Sequence, residues 1–126
     1  DLSHLWSRSF GGSEDDVAYD VAIDGGSGRV FVTGVVRGSV DLSGAEEGSS
    51  ETGADVFVLA LAGENGSTVQ SWRFGAEGDQ EGRSVAVDSM GDIILFGNME
   101  GTIDFGNGEL ISTNGSQDLF VAKLRP

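Results

Sequence analysis

The chain repeats one pattern with a period of 64 residues: Phe10-Gly11 recurs as Phe74-Gly75, Asp15 as Asp79, and Val21-Ala22-Ile23-Asp24 as Val85-Ala86-Val87-Asp88. One residue then drops out of the second copy's turn and the offset becomes 63. At that offset Gly34 meets Gly97, Gly38 meets Gly101, Asp41 meets Asp104, and Asp55-Val56-Phe57-Val58 meets Asp118-Leu119-Phe120-Val121. A fixed period of this size, built from short apolar runs and glycine turns, is the mark of a repeat architecture. One unit of such an array cannot bury both of its faces, and two units leave an outer face uncovered at each end. The repeat therefore implies assembly as well as fold.

The period is made of strands. No window sustains apolar residues at helical spacing, valine is frequent, and 21 glycines against one proline punctuate the chain with tight turns. The expectation is an all-β chain. Strand-like runs lie at 17–24, 29–36, 55–62 and 69–74 in the first copy and at 82–88, 92–97 and 118–124 in the second. Val30, Phe31 and Val32 are apolar in succession, as in a strand buried on both faces. The second copy lacks a counterpart of 69–74, and the unmatched run Leu5-Trp6-Ser7-Arg8-Ser9-Phe10 aligns with it. This predicts two four-stranded antiparallel propeller blades in a single unit, 1–126. Blade one covers about 17–74, and blade two about 82–124 completed by the N-terminal strand 5–10. Closure into a full β-propeller then comes from oligomerisation, or the two blades are part of a larger propeller. Closing the ring is how such folds protect strand edges. Cyclic assembly of three copies, giving six blades, is the favoured form.

The runs resemble the bacterial SBBP-type β-propeller repeat. LWSRSFGG, VAYDVAID, SGRVFVTG and DVFVLALA in the first copy, and SWRFGA, RSVAVDS, MGDIILFG and DLFVAKL in the second, match its strand and turn motifs in order. Ala60 stands where the family tends to have lysine and Phe96 where it has threonine. The resemblance implies a bacterial propeller, secreted or at the cell surface. It is nearly silent on activity, because propellers host unrelated functions. In architecture alone, two blades per chain is similar to the small bacterial lectins whose subunits close into rings.

Charge narrows the partners. The net charge is −14, with 21 acidic residues against six arginines and Lys123, so phosphate backbones and anionic membrane surfaces are repelled. No stretch resembles a membrane span, and there is no cysteine for a disulfide or thiolate site. His4 is the sole histidine and sits in a terminal tail, which removes the usual nucleophilic triads. The expectation is a non-enzymatic binding module: a carbohydrate-binding lectin, or alternatively a structural or adhesive surface segment without a small ligand.

Sugar sites pair an aromatic ring with polar groups that bond hydroxyls. The candidates are Trp6, Tyr19 and Trp72, with Asp15, Asp16, Asp79 and Arg83 nearby in sequence. Both tryptophans also read as packing residues between blades. Tyr19 and Arg83 align at offset 64 and could line one inter-blade pocket. The loops that share one face of the ring carry Asp15, Asp79, Asp41 and Asp104, together with Glu46, Glu47, Glu51, Glu100 and Glu109. Hard oxygen ligands in loops suit Ca²⁺, although no segment has an EF-hand or nonapeptide spacing. A solvated acidic face is the plainer reading, and no other cofactor is expected. Asp24, Asp88, Asp55 and Asp118 stand at turns, where aspartates accept backbone N–H groups. Asn65-Gly66-Ser67 and Asn114-Gly115-Ser116 match the glycosylation pattern but read first as tight turns.

Overall fold

A computed structural model describes residues 1–42, the backbone of 46–47, and residues 53–126. The strands are β1 (Gly11–Gly12), β2 (Val17–Ile23), β3 (Arg29–Arg37), β4 (Val40–Asp41), β5 (Glu46–Glu47), β6 (Ala54–Ala62), β7 (Thr68–Phe74), β8 (Gln80–Val87), β9 (Ile93–Met99), β10 (Thr102–Asp104), β11 (Glu109–Ile111) and β12 (Asp118–Leu124). Among the described residues the only helical turn is a 3₁₀ piece at Thr113–Gly115. The chain is all-β, and its main sheets are antiparallel.

The first sheet has four strands in the order β2-β3-β6-β7; the second has three, β12-β9-β8. The strand runs read from the sequence for the first copy thus form one sheet in chain order. Two small ladders, β1-β4-β5 and β10-β11, cover the loops after β3 and β9. Among the described residues the sheets close into no ring or barrel within the chain. Residues 5–10, expected as a strand, belong to none here. They lie instead along the first sheet, where the Trp6 indole Nε1 donates to the Gly63 carbonyl at 2.8 Å and Arg8 donates to the Asn65 carbonyl at 2.7 Å. Among the described residues, no fourth strand of its own chain pairs with the edge of β12.

β6 shows why the sheets stack. Its side chains alternate: Val56, Val58 and Ala60 enter one apolar cluster, while Phe57, Leu59 and Leu61 enter another. The first cluster lies between the two sheets and includes Phe31, Val85, Ile93, Leu95 and Phe120, all buried. The second lies on the opposite face of the first sheet, with Val36, Val40 and Leu42, and is capped by Trp6 and Phe10. Full burial of a Val, Leu or Phe side chain is worth about 1.5–3 kcal/mol, so a strand apolar on both faces needs a neighbour on each.

The β2–β3 and β8–β9 ladders each carry a bulge, at equivalent places, and a further register shift, between Ala60 and Leu61, interrupts the β6–β7 ladder. In the β2–β3 ladder Ala18 pairs with Gly34 and Asp20 with Thr33, so Tyr19 is the extra residue. In the β8–β9 ladder Gly82 pairs with Gly97 and Ser84 with Phe96, so Arg83 is the extra residue. The bulge brings backbone against backbone. A Cβ on Gly34 would stand 1.9 Å from the Val17 carbonyl oxygen, and one on Gly97 would stand 2.0 Å from that of Glu81. The repeated glycine pair is thus a steric requirement of the bulge.

Gly97→Ala is expected to lower unfolding free energy by about 1–3 kcal/mol, the usual cost of overpacking a closed site. Gly25→Ala, where nothing lies within 4 Å of the new methyl, should change it by less than about 0.5 kcal/mol. Urea denaturation midpoints of the two variants against the parent check this.

Candidate functional site

The two bulges face each other across the sheets. The Arg83 guanidinium carbon sits 4.3 Å from the centroid of the Tyr19 ring. Such a stack is favourable because the ring face carries negative charge density. Arg83 is further held by Glu81 at 2.5 Å, and its side chain remains 41% exposed. Tyr19 is 40% exposed. An aromatic ring and a fixed cation are therefore presented together at the surface.

Asp20 fixes the seam beneath them. Its Oδ2 accepts from the Ser84 hydroxyl at 2.7 Å and from the Val85 N–H at 2.9 Å, and its Oδ1 accepts from its neighbour Val21 at 2.9 Å. The Ser84 hydroxyl, followed by the Val85 N–H, holds the Asp20 carboxyl below the usual carboxylate range. Asp20 aligns with Ser84 at offset 64, so one repeat position supplies the acceptor in one sheet and a donor in the other. That asymmetry was visible in the sequence as a mismatch; its meaning needed the two sheets in contact.

The other candidate residues lie apart from this pair. Trp72 packs against the cluster between the sheets and Trp6 against the cluster on the far face of the first sheet. The Trp6 ring rests on Gly66, where an added Cβ would meet it at 2.5 Å. Trp72 thus packs between the sheets, whereas Trp6, outside any strand, packs on the outer face of the first sheet and not between the two. Asp16 accepts from the Gly12 N–H at 2.9 Å and the Arg37 N–H at 3.1 Å, which clamps the loop before β2 to the end of β3. Gln80, at the equivalent position, is fully buried and bonds the Ala76 N–H and the Glu77 and Glu100 carbonyls. Asp79 accepts from the Ala54 N–H at 2.8 Å and lies 3.6 Å from Arg37. Asp15 is exposed.

The loop at 77–79 meets the one at 100–102, with the Glu77 carbonyl accepting from the Thr102 N–H and the Asp79 carbonyl from the Glu100 N–H. Among the described residues, no three carboxylate or histidine side chains converge on a metal-sized site. Asp104 uses its Oδ1 to close its own turn, accepting from Gly106 at 2.6 Å and Gly108 at 3.1 Å. Asp41 lies in the β1-β4-β5 ladder opposite Gly11 and Glu46. Glu51 and the side chains of Glu46 and Glu47 lie outside the described residues.

Asp24, Asp88 and Asp118 accept backbone N–H groups at their turns. Asn65 does the same through its side chain, accepting from Ser67 at 2.9 Å. Asp55 does more. Its Oδ2 takes the Arg73 Nε at 2.7 Å in a pair whose side chains are 2% and 9% exposed. The turn reading of Asp55 missed this bond, because its partner lies 18 residues away on a different strand. At the far end of the second sheet, Asp92 holds Arg125 through two bonds, 2.8 and 3.0 Å, with Lys123 at 3.3 Å.

No family model, curated protein or solved structure matches the chain. The likeness to the SBBP-type repeat rests on the motifs themselves.

Removing one partner of a buried ion pair strands the other. Asp55→Ala is expected to cost about 3–5 kcal/mol, read as a drop in denaturation midpoint. Asp92 gives a pH signature. The Arg125 bonds, ahead of those from Lys123, bring its carboxyl from the ordinary 3.8 down to about 2. A carboxyl lowered on folding stabilises above its unfolded value, and that contribution fades as pH falls toward the folded one. Asp92→Asn should therefore melt below the parent at pH 7, and the gap should shrink between about pH 4 and 2 in thermal scans across pH.

Proposed function

We propose that the chain is a non-enzymatic carbohydrate-binding module of a bacterial, secreted or surface-exposed β-propeller of the SBBP-type repeat, assembled from several copies, with three the favoured number. The observation that carries the reading is the bulge-presented Tyr19–Arg83 stack. Bulges re-aim a side chain out of the pleat and recur beside functional sites. A pyranose offers a C–H face to the tyrosine ring and hydroxyls to the guanidinium, and Glu81 keeps that guanidinium from turning away. The ligand reading thus moves from the tryptophans to Tyr19 and Arg83. Ca²⁺ remains a secondary element of the proposal, to be separated by chelation.

A second reading, a structural or adhesive segment without a small ligand, draws on the apolar surface left at both ends of the two-sheet stack. Val21, Leu119 and Val121 are exposed by 58%, 68% and 61%.

A glycan array, run with and without EDTA, separates the two. Tyr19→Ala and Arg83→Ala should each weaken retention on whichever glycans the parent binds by at least about tenfold, the equivalent of 1.4 kcal/mol. Trp72→Phe should leave glycan binding unchanged. Absence of glycan binding by a folded, assembled parent favours the structural reading. Loss of binding in EDTA would add calcium to the site.

A further inference from the structure

The contact between the two sheets is a template that the rest of the chain can repeat. On the first-sheet side of that contact, Phe31, Thr33, Val56 and Val58 are exposed by 1%, 0%, 0% and 0%. At offset 63 the second sheet places Ile94, Phe96, Leu119 and Val121 in these positions, exposed by 38%, 41%, 68% and 61%. The same apolar face exists twice, once covered and once bare. On the second-sheet side of the contact lie Val85, Ile93, Leu95, Met99, Ile103 and Phe120. Their equivalents in the first sheet are Val21, Val30, Val32, Val36, Val40 and Phe57. All six line one groove of about 450 Å³ on the outer face of that sheet. The chain thus carries both halves of an interface whose complementarity it demonstrates internally.

The N-terminal segment lies where this interface would need it. Within the chain, Phe74 at the end of β7 stacks on Phe105 at 4.9 Å, and Phe105 stacks on Phe120 at 5.2 Å. The equivalents are Phe10, Leu42 and Phe57, and they share one cluster. Residues 5–10 therefore rest on the first sheet as β7 rests on the second, yet they belong to no strand. The bare edge they would need is that of β12, the equivalent of β6.

We infer that a second copy of this chain docks head to tail, seating Ile94, Phe96, Leu119 and Val121 in the groove of the first. Residues 6–10 of the first copy then pair as the fourth strand with β12 of the second. This deepens the proposed assembly and does not depend on carbohydrate binding. The register follows from β6–β7, where Val56 pairs with Phe74, Val58 with Trp72, Leu59 with Ser71 and Ala60 with Gln70. Transposed by the two offsets, Leu119 pairs with Phe10, Val121 with Arg8, Ala122 with Ser7 and Lys123 with Trp6. The side chains differ at Arg8 for Trp72, Trp6 for Gln70, Ala122 for Leu59 and Lys123 for Ala60, and at the last the ammonium is tied back to Asp88 at 2.6 Å and Asp92 at 3.3 Å. One heterologous contact used repeatedly closes a ring if its rotation permits, and it covers both faces and the bare edge.

The chain has no cysteine, so crosslinking has no background from native thiols. Ser7→Cys and Ala122→Cys are made as separate proteins, mixed and mildly oxidised, and a second mixture uses Arg8→Cys with Val121→Cys. Neighbouring antiparallel pairs alternate between hydrogen-bonded and non-hydrogen-bonded sites, so one mixture has the closer spacing. The expected result is a heterodimeric disulfide in at least one mixture and none when Ser7→Cys is mixed with Asn107→Cys. Val121→Glu, at a position exposed in the single chain, should keep the parent's far-ultraviolet spectrum and convert the oligomer seen in sedimentation to monomer. A parent that sediments as a monomer overturns the inference, as does a Ser7–Ala122 disulfide formed within one chain of the double variant. So does a Val121→Glu protein that still forms the parent oligomer. None of these readouts involves sugar, so an assembled chain that binds no glycan fails the carbohydrate reading alone.

Discussion

A strand that is apolar on both faces sets the terms for everything else in this molecule. β6 sends Val56, Val58 and Ala60 one way and Phe57, Leu59 and Leu61 the other, and all six are buried. A sheet built on such a strand has no wet side. It must be a middle layer, and the chain supplies layers unequally. A whole sheet covers one face, while Trp6, Phe10 and the loop residues Val40 and Leu42 shelter the other. The second sheet inherits the same two-faced pattern with only one neighbour. Its central strand β9 buries Ile93 and Leu95 and leaves Ile94 and Phe96 partly in water. Stacking is thus a consequence of side-chain alternation.

The seam between the sheets is polar where the strands bulge and apolar elsewhere. Asp20, Ser84 and the Val85 N–H make a compact hydrogen-bonded joint there. Gly82 lies directly opposite, where an added Cβ would stand 2.3 Å from the Thr33 hydroxyl. Greasy contact fixes how closely the layers approach, and the joint fixes their register. Non-directional burial could not by itself specify that register. Tyr19 and Arg83 stand above this joint because the bulge leaves each of them out of the pairing.

Much of the architecture was legible in the sequence because its signals are local and repeated. The period, the two-faced apolar runs and the glycine turns placed the four strands of the first sheet within a residue or two of their observed ends. Turn aspartates were legible for the same reason: Asp24 and Asp88 bond groups a few residues away. What escaped was non-local. Nothing along the chain says that Arg73 reaches Asp55, or that Asp92 collects Arg125 and Lys123, since those bonds depend on which strand ends meet. The expected strand at 5–10 shows the limit from the other side. Its pattern is that of a strand, but a strand requires a partner edge, and the equivalent edge, that of β12, lies in the second sheet while residues 5–10 rest on the first. The tryptophans were weighed as ligand platforms because exposed aromatics and packing aromatics look alike in sequence. Tyr19 and Arg83 are candidates on residue type and alignment, but the bulge that joins them is invisible without register.

A residue inserted as a bulge does not count in the two-residue alternation of its strand. Tyr19 and Arg83 stand outside their ladders' pairing, so a change of side chain at either displaces no cross-strand partner. The fold thus separates two kinds of positions. The alternating ones are bound to packing, and the ones inserted at Tyr19 and Arg83 are bound to it less. Phenol in one copy and guanidinium in the other is one pairing drawn from that freedom, and a descendant of the same repeat could exchange either group at little cost to its framework.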